Sequence, residues 1–310
     1  MDIDSVERFF KYSDVEGARY ALRDGTLKFS LASEFNDPSD TAIQTLFAYD
    51  PISTLQELRE ESAAILFSDE TYPPFSKSAN AQLMAWMRKN LANKTQEEKE
   101  HLRGLILADS PESIWNIERL RRTDQETLAI VKLFISADAI FCASQNCDNQ
   151  LLWSHYAESH KGAALEFVPN VEKDSIYRLM TKVKYSAERP VLHKTPKDFL
   201  HKSLFREDMD VIEEYMRALT FTKNPQYEYE QEVRCFIPLY IFGGESYRLQ
   251  NYHGDELRAI YLGCKTDENV EKEFVNLAVA KNPDVKVFKM AVDAASYKLS
   301  PVGVDAQNYL

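Results

Sequence analysis

The stretch Tyr227-Glu228-Tyr229-Glu230-Gln231-Glu232-Val233-Arg234 sets three carboxylates at alternate positions ahead of an apolar strand. In an extended chain Glu228, Glu230 and Glu232 point to one side. Like charges so arranged repel and raise at least one carboxyl's pKa, unless the segment is solvated or meets a cationic or polyhydroxy partner. Arg234 continues the same face and is a candidate partner. The plainer alternative is an exposed acidic strand edge.

Two other stretches carry comparable chemistry. Trp153-Ser154-His155-Tyr156-Ala157-Glu158-Ser159-His160-Lys161-Gly162 is dense in polar and aromatic side chains. A helix over 150–158 would put Trp153 and Ala157 on one face and Tyr156 and His160 on another. His155 and His160, five apart, make poor co-ligands on one helix. Core packing by Trp153 and Tyr156 is the alternative, since buried aromatics often keep a polar handle. Asn36-Asp37-Pro38-Ser39-Asp40 offers acidic and amide groups that suit a ligand or a metal, or simply local Asx turns.

The elements around these stretches follow from spacing and capping chemistry. Phe9–Tyr12 reads as a short strand, Ser13 and Asp14 as the cap of a helix that Gly25 ends, and Thr26–Leu31 as a half-buried strand. Residues 50 to about 138 read as almost wholly helical. Thr54 with Glu57 and Thr95 with Glu98 fit capping boxes, and Ser110-Pro111 fits another helix start. Leu83, Met84, Met87 and Leu91 form one apolar stripe, and Ile114, Ile117 and Leu120 another. Strands are then expected near 140–144, 162–168, 176–185, 233–238, 257–262 and 285–290. A short helix is expected from Asn149, a long one from Thr195 to Thr220, and a last one around Val270–Leu277. Helices and strands mix without a regular βαβ rhythm. The expectation is therefore a single α+β domain over 1–310, with a mixed or antiparallel central sheet and a mostly helical insertion at 50–138.

Composition narrows the function. The 310 residues carry 37 Lys+Arg against 49 Asp+Glu, a net charge of −12, which argues against coating duplex DNA or an anionic membrane through a global positive field. Nine glycines make a Gly-rich phosphate cradle an unsuitable design. Cys142, Cys147, Cys235 and Cys264 are dispersed, match no zinc spacing, and read as reduced thiols. The N-terminus lacks an apolar leader and no apolar run spans a bilayer, so a cytoplasmic protein without membrane contact is expected. No metal site is expected from these spacings.

Taken in order, these pieces resemble the bacterial family catalogued as domain of unknown function 2971. The resemblance rests on Lys11-Tyr12, Gly25-Thr26-Leu27, Phe35-Asn36-Asp37-Pro38, the block Leu152–Gly162, Tyr229-Glu230-Gln231-Glu232-Val233-Arg234, and Ile260-Tyr261-Leu262-Gly263. The segment 50–138 lies outside the shared pattern. A more distant similarity is to ADP-ribosyltransferase-fold toxins, whose site closes on a glutamate at the head of a strand, often as Glu-x-Glu. That resemblance implies a split sheet and an NAD-consuming transferase or glycohydrolase, acting as a bacterial toxin or anti-phage defence effector. NAD would be the substrate, and a protein or nucleic acid the acceptor. It implies that Glu232 binds the nicotinamide ribose and stabilises an oxocarbenium-like transition state, while Glu230 orients or deprotonates the acceptor. Tyr156 would stack on nicotinamide, and His160 or Arg234 would hold a phosphate. Lys11 or Tyr12 stands where those enzymes place Arg or His, which is a departure. Ser30, Asn36, Asp37 and Lys161 complete the expected substrate contacts. Two alternatives stay open: a metal-dependent nucleic-acid enzyme or binder using Asp37, Asp40, Glu230 and Glu232, and a non-catalytic sensor or interaction module.

Overall fold

The computed structural model describes residues 6–108, 110, 113, 115–239 and 248–309. Pro111 and Ile114, on which one expected cap and one stripe depend, lie outside them. The chain divides into two compact units. The first is Met1–Asp40, Ser136–Ala187 and Phe221–Leu310; the second is Thr41–Ile135 with Glu188–Thr220. The helical part thus draws on a second stretch of chain beyond the expected 50–138 insertion.

The first unit is α+β. Its strands, in chain order, are β1 (Phe9–Ser13), β2 (Thr26–Lys28), β3 (Ser30–Leu31), β4 (Asp138–Ser144), β5 (Ala163–Phe167), β6 (Thr181–Lys182), β7 (Lys184–Tyr185), β8 (Thr222–Lys223), β9 (Glu232–Pro238), β10 (Leu249–Asn251), β11 (Leu257–Leu262), β12 (Lys286–Val292) and β13 (Leu299–Val304). Nine of them form one mixed sheet in the order β13-β12-β11-β5-β1-β4-β9-β6, with β3 pairing β4; β10 pairs β2, and β7 pairs β8. The split sheet implied by the toxin resemblance is not confirmed, since these strands make one hydrogen-bonded sheet. It has a seam, however. β1 pairs β5 through five register positions, Phe9↔Phe167 to Ser13↔Ala163, but meets β4 at Phe10↔Ser144 alone.

Alternation along the strands builds the core. Phe9, Ala139, Phe141, Ala143, Val233, Cys235 and Ile237 bury into one cluster with helix α1 (Val15–Asp24) and the helix Glu268–Lys281. Phe10 and Tyr12 turn to the other side and pack with Leu152 and Trp153. Asp14 caps α1 by accepting from the Gly17 amide, and Gly25 ends it in the left-handed conformation, φ 71°, as expected.

The second unit is helical. Its helices are α2 (Leu55–Phe67), α3 (Ala79–Leu91), α4 (Gln96–Leu107), α5 (Ile117–Ser136, of which Ser136 belongs to the first unit), α7 (Pro196–Phe205) and α8 (Asp208–Thr220). Leu58, Met84, Val131, Leu200 and Leu204 form its core. The Thr95–Glu98 capping box is present, whereas Thr54 makes no side-chain cap bond. Leu83 is exposed, so the α3 stripe runs through Ala81, Met84 and Leu91 instead. The single helix expected over 195–220 is broken between α7 and α8. The strand expected over 176–185 is a 3-10 turn, Ile176–Leu179, followed by the two-residue strands β6 and β7. Neither β10 nor β13 is expected from the sequence.

Asp138, the first residue of β4, is fully buried, and neither of its carboxyl oxygens has a hydrogen-bond partner among the described residues. Desolvation pushes its pKa up to about 7. With the folded value above the ordinary ~3.9, the stabilising contribution is complete below ~4 and is lost as pH rises to about 7. Asp138→Asn should therefore raise stability by on the order of 2–4 kcal/mol at pH 8, with the gain shrinking towards pH 5. Thermal melts at both pH values check this, and an equal gain at each would contradict it.

Candidate functional site

The candidate site lies within the first unit, where β1 and β4 part company. A cleft of about 290 Å³ opens there, near the lower end of the ~300–1,000 Å³ usual for small-molecule sites. Among the residues lining it are Lys11 and Tyr12 from β1, Ser30 from β3, Asn36, Asp37 and Asp40 from the following loop, Tyr156, Lys223, Glu230, Glu232 and Arg234.

A buried ion network forms its wall. Arg234 is fully buried, and its guanidinium is gripped on two sides. Nε donates to Glu232 Oε1 at 2.8 Å and Nη2 to Glu232 Oε2 at 2.9 Å. Nη1 and Nη2 donate to the two Asp40 oxygens at 2.9 and 2.5 Å. The Phe35 ring covers the guanidinium, with its centroid 5.4 Å away. Lys223 Nζ donates to Glu230 Oε2 at 2.6 Å and to Glu232 Oε2 at 2.9 Å. The Tyr156 hydroxyl donates to Glu230 Oε1 at 3.1 Å, and the Tyr185 hydroxyl accepts from the Glu232 amide at 2.7 Å.

Backbone geometry, not simple alternation, brings Glu230 and Glu232 together. Pro225–Glu230 is a 3-10 turn rather than an extended strand, so the expected single face of Glu228, Glu230 and Glu232 does not form. Glu228 is exposed and does not line the cleft. Gln231, φ 42°, takes the left-handed conformation between turn and strand and lets both neighbours reach Lys223. The kink is held by Gln145, whose amide donates to the Gln231 carbonyl, and by Ser144 Oγ, which donates to the Glu230 carbonyl.

Helix α6 (Gln150–Tyr156), capped by Asn149 as expected, delivers Tyr156. The helix stops there. Glu158, Ser159 and His160 then take positive φ values of 49°, 54° and 73°, a left-handed turn that costs ~1–2 kcal/mol per residue. The turn is tied down by His160 N donating to the Trp153 carbonyl, Gly162 N to the Ala157 carbonyl and Lys265 N to the His160 carbonyl. Gly162 and Gly263 make the close approach possible. A Cβ on either would lie 2.1 Å from a carbonyl oxygen, that of Ser13 or of His160. His160 therefore does not share a helical face with Tyr156. It stacks on Trp153 and does not line the cleft, and neither does the exposed Lys161. Both belong to the turn that seats α6 rather than to the cleft wall.

The electrostatics follow from these partners. Burial pushes the Glu232 carboxyl up, but Arg234 and Lys223 outweigh it and hold its pKa down to about 2. Burial works against the Lys223 ammonium, yet Glu232 and Glu230 outweigh it, and its pKa rises. Lys11 behaves in the opposite way. Its Nζ donates to the Cys142 carbonyl at 2.9 Å across the seam and sits 5.0 Å from the Phe141 ring centroid, and among the described residues no carboxylate lies within ion-pair distance. Desolvation lowers its pKa, with Cys142 and Glu232 opposing. Burial raises the Cys142 thiol, which leaves it a poor nucleophile. Asp37 lines the cleft and also makes the expected Asx turn, accepting from the Ser39 amide and hydroxyl.

The cleft thus unites Lys11, Tyr12, Ser30, Asn36, Asp37, Tyr156, Glu230, Glu232 and Arg234. Sequence reasoning missed Lys223, Tyr185, Phe35 and Cys142. The signal for Lys223 was available in Thr222-Lys223-Asn224-Pro225, a lysine just ahead of the turn that carries the acidic run.

The family model described as a protein of unknown function, DUF2971, matches residues 152–235. The matched segment runs from α6 to the middle of β9 and holds Tyr156, Lys223, Glu230, Glu232 and Arg234. Comparisons with curated proteins and with solved structures find no match. Among the described residues no helix is long and apolar enough to cross a membrane.

Removing one member of a buried ion network leaves the others uncompensated, at about 3–5 kcal/mol. Lys223→Met should therefore cost roughly that amount in urea unfolding. Lys28→Met, a change at an exposed cation on the rim of the same cleft, should stay within ~0.5 kcal/mol. Equal effects from the two would show that the network contributes no more than an exposed charge.

Proposed function

We propose that this cleft is a glycosyl-transfer site that consumes NAD, releasing nicotinamide and passing the ADP-ribosyl group to water or to a protein or nucleic-acid acceptor. The observation that carries the reading is Glu232, an ionised carboxylate at the head of β9 with Glu230 beside it, in a cleft also lined by Phe35, Tyr156 and Tyr227. As the N-glycosidic bond breaks, its electron pair leaves with nicotinamide and positive charge develops on the ribosyl carbon. A fixed negative charge facing that carbon lowers the barrier. In this reading Glu230 orients the incoming hydroxyl, and the aromatic rings take the planar leaving group. The toxin or anti-phage role comes from the resemblance, and the site chemistry is compatible with it.

The metal-dependent alternative fits less well. Lys223 and Arg234 already pair with Asp40, Glu230 and Glu232, where a cation would have to sit. Among the described residues no group of three or more His, Cys, Asp and Glu is arranged to hold a metal ion. A second reading, binding without turnover, is favoured by one observation: both oxygens of Glu232 are already held by donors.

Nicotinamide release from NAD, followed chromatographically, separates these readings. Wild-type protein should release nicotinamide, and Glu232→Gln should lose ~100-fold or more while still melting cooperatively. NAD binding with no release selects the receptor reading. A wild-type protein that neither binds nor cleaves NAD excludes both.

A further inference from the structure

Two lysines face the same cleft in opposite states. Lys223 is clamped by Glu230 and Glu232, and its ammonium hydrogens are committed to carboxylates. Lys11 makes one hydrogen bond, to the Cys142 carbonyl, which leaves two of its three N–H donors without a partner among the described residues. It lines the cleft and keeps partial exposure, and its Nζ stands over the Phe141 ring, 5.0 Å from the centroid. A desolvated, apolar position beside an aromatic ring is a setting in which lysine becomes a carbonyl nucleophile.

We infer that Lys11 is a carbonyl-capturing lysine, which forms an imine with the open-chain aldehyde of a sugar seated in the cleft. The identity of that aldehyde rests on the glycosyl-transfer reading, because hydrolysis of the N-glycosidic bond leaves a ribose whose ring opens to an aldehyde; the amine's reactivity does not rest on it. In the step, the Lys11 ammonium gives one proton to water, and the Nζ lone pair attacks the aldehyde carbon. The carbonyl oxygen then takes up protons and departs as water, leaving a protonated imine. The balance is one ammonium plus one aldehyde giving one iminium plus one water. No oxidant or reductant enters. Cys142 is not the competing nucleophile, since its thiol stays protonated. Lys223 is not either, since two carboxylates hold its charge. The lowered pKa of Lys11 adds support, as more free amine is present near neutral pH than for an exposed lysine.

The test uses the full chain with ADP-ribose, and separately with ribose 5-phosphate, in the presence of cyanoborohydride to reduce any imine to a stable amine. Peptide mass mapping then compares Lys11 with the exposed Lys28 on the same cleft. The expected result is saturable labelling of Lys11 at pH 7, at least ten times faster than Lys28, with labelling of that peptide absent in Lys11→Arg. Lys11 labelling no faster than that of Lys28, or linear in sugar concentration, overturns the inference. Labelling at Lys11 by a protein that releases no nicotinamide leaves this inference standing and removes the glycosyl-transfer reading. Nicotinamide release without Lys11 labelling does the reverse.

Discussion

The Asp40–Arg234–Glu232–Lys223–Glu230 network is the constraint on which the geometry of the cleft depends. Taking an ion out of water costs several kcal/mol, and the cost is met only when every charge finds partners of good geometry. Here two separated pieces of chain must arrive together: the loop after β3, and the run from the short β8 through the turn into β9. Arg234 can occupy its place only if β4 and β9 hold the register Cys142↔Arg234. A slip of one residue would turn the guanidinium into the cluster of Phe9, Phe141 and Val233. The left-handed Gln231 belongs to the same constraint, because a regular strand through 228–232 would not give Lys223 both carboxylates.

The network also explains why the cleft sits at the seam. β1 follows β5 along its whole length and leaves β4 after a single register pair. Backbone groups stranded by such a parting must be satisfied by other means. The Lys11 ammonium and the Tyr12 hydroxyl supply donors to the carbonyls of Cys142 and Asn146 on the far side. Three carboxylates face the two clamped cations, so one negative charge is left over, and Lys11 is the cation that feels it through Glu232. Loss of the Lys11 proton would leave the cleft with that excess negative charge.

Much of this was legible in the sequence, and the failures have physical causes. The strands at 140–144, 163–167, 233–238 and 257–262 announce themselves by β-branched and aromatic runs ending in turn residues, and Asp14, Gly25, Thr95 and Asn149 mark their helix ends through local bonding. Glu230, Glu232 and Arg234 stand out because acidic and basic side chains ahead of an apolar strand are costly unless used, whereas Lys11 and Tyr156 gain their site roles from the resemblance; all five line the cleft. What local pattern cannot convey is a long-range partner. Asp40 and Arg234 are 194 residues apart, and nothing near Lys223 states that it will be buried between two glutamates. His160 and Lys161 fall outside the cleft for a related reason: three consecutive left-handed residues without glycine are held by backbone hydrogen bonds of His160 with Trp153 and Lys265 that no helical periodicity encodes.

The state of Glu232 limits what it can do chemically. A carboxyl held near pKa 2 is a poor proton acceptor at neutral pH, because it binds a proton too weakly. The grip of Arg234 and Lys223 that weakens it as a base also fixes it in space, so it need not reorganise when positive charge develops opposite it. Such a carboxylate suits a reaction in which a cation forms and collapses better than one in which a carbon acid or a hydroxyl must be deprotonated by it. Glu230 is held more lightly, by one ammonium and the Tyr156 hydroxyl, and α6 carries that hydroxyl on the rigid left-handed turn. The two glutamates are two residues apart in the chain, yet their partners differ, and the proposed reading uses that difference: Glu232 as a fixed charge, Glu230 as an acceptor for a ligand hydroxyl.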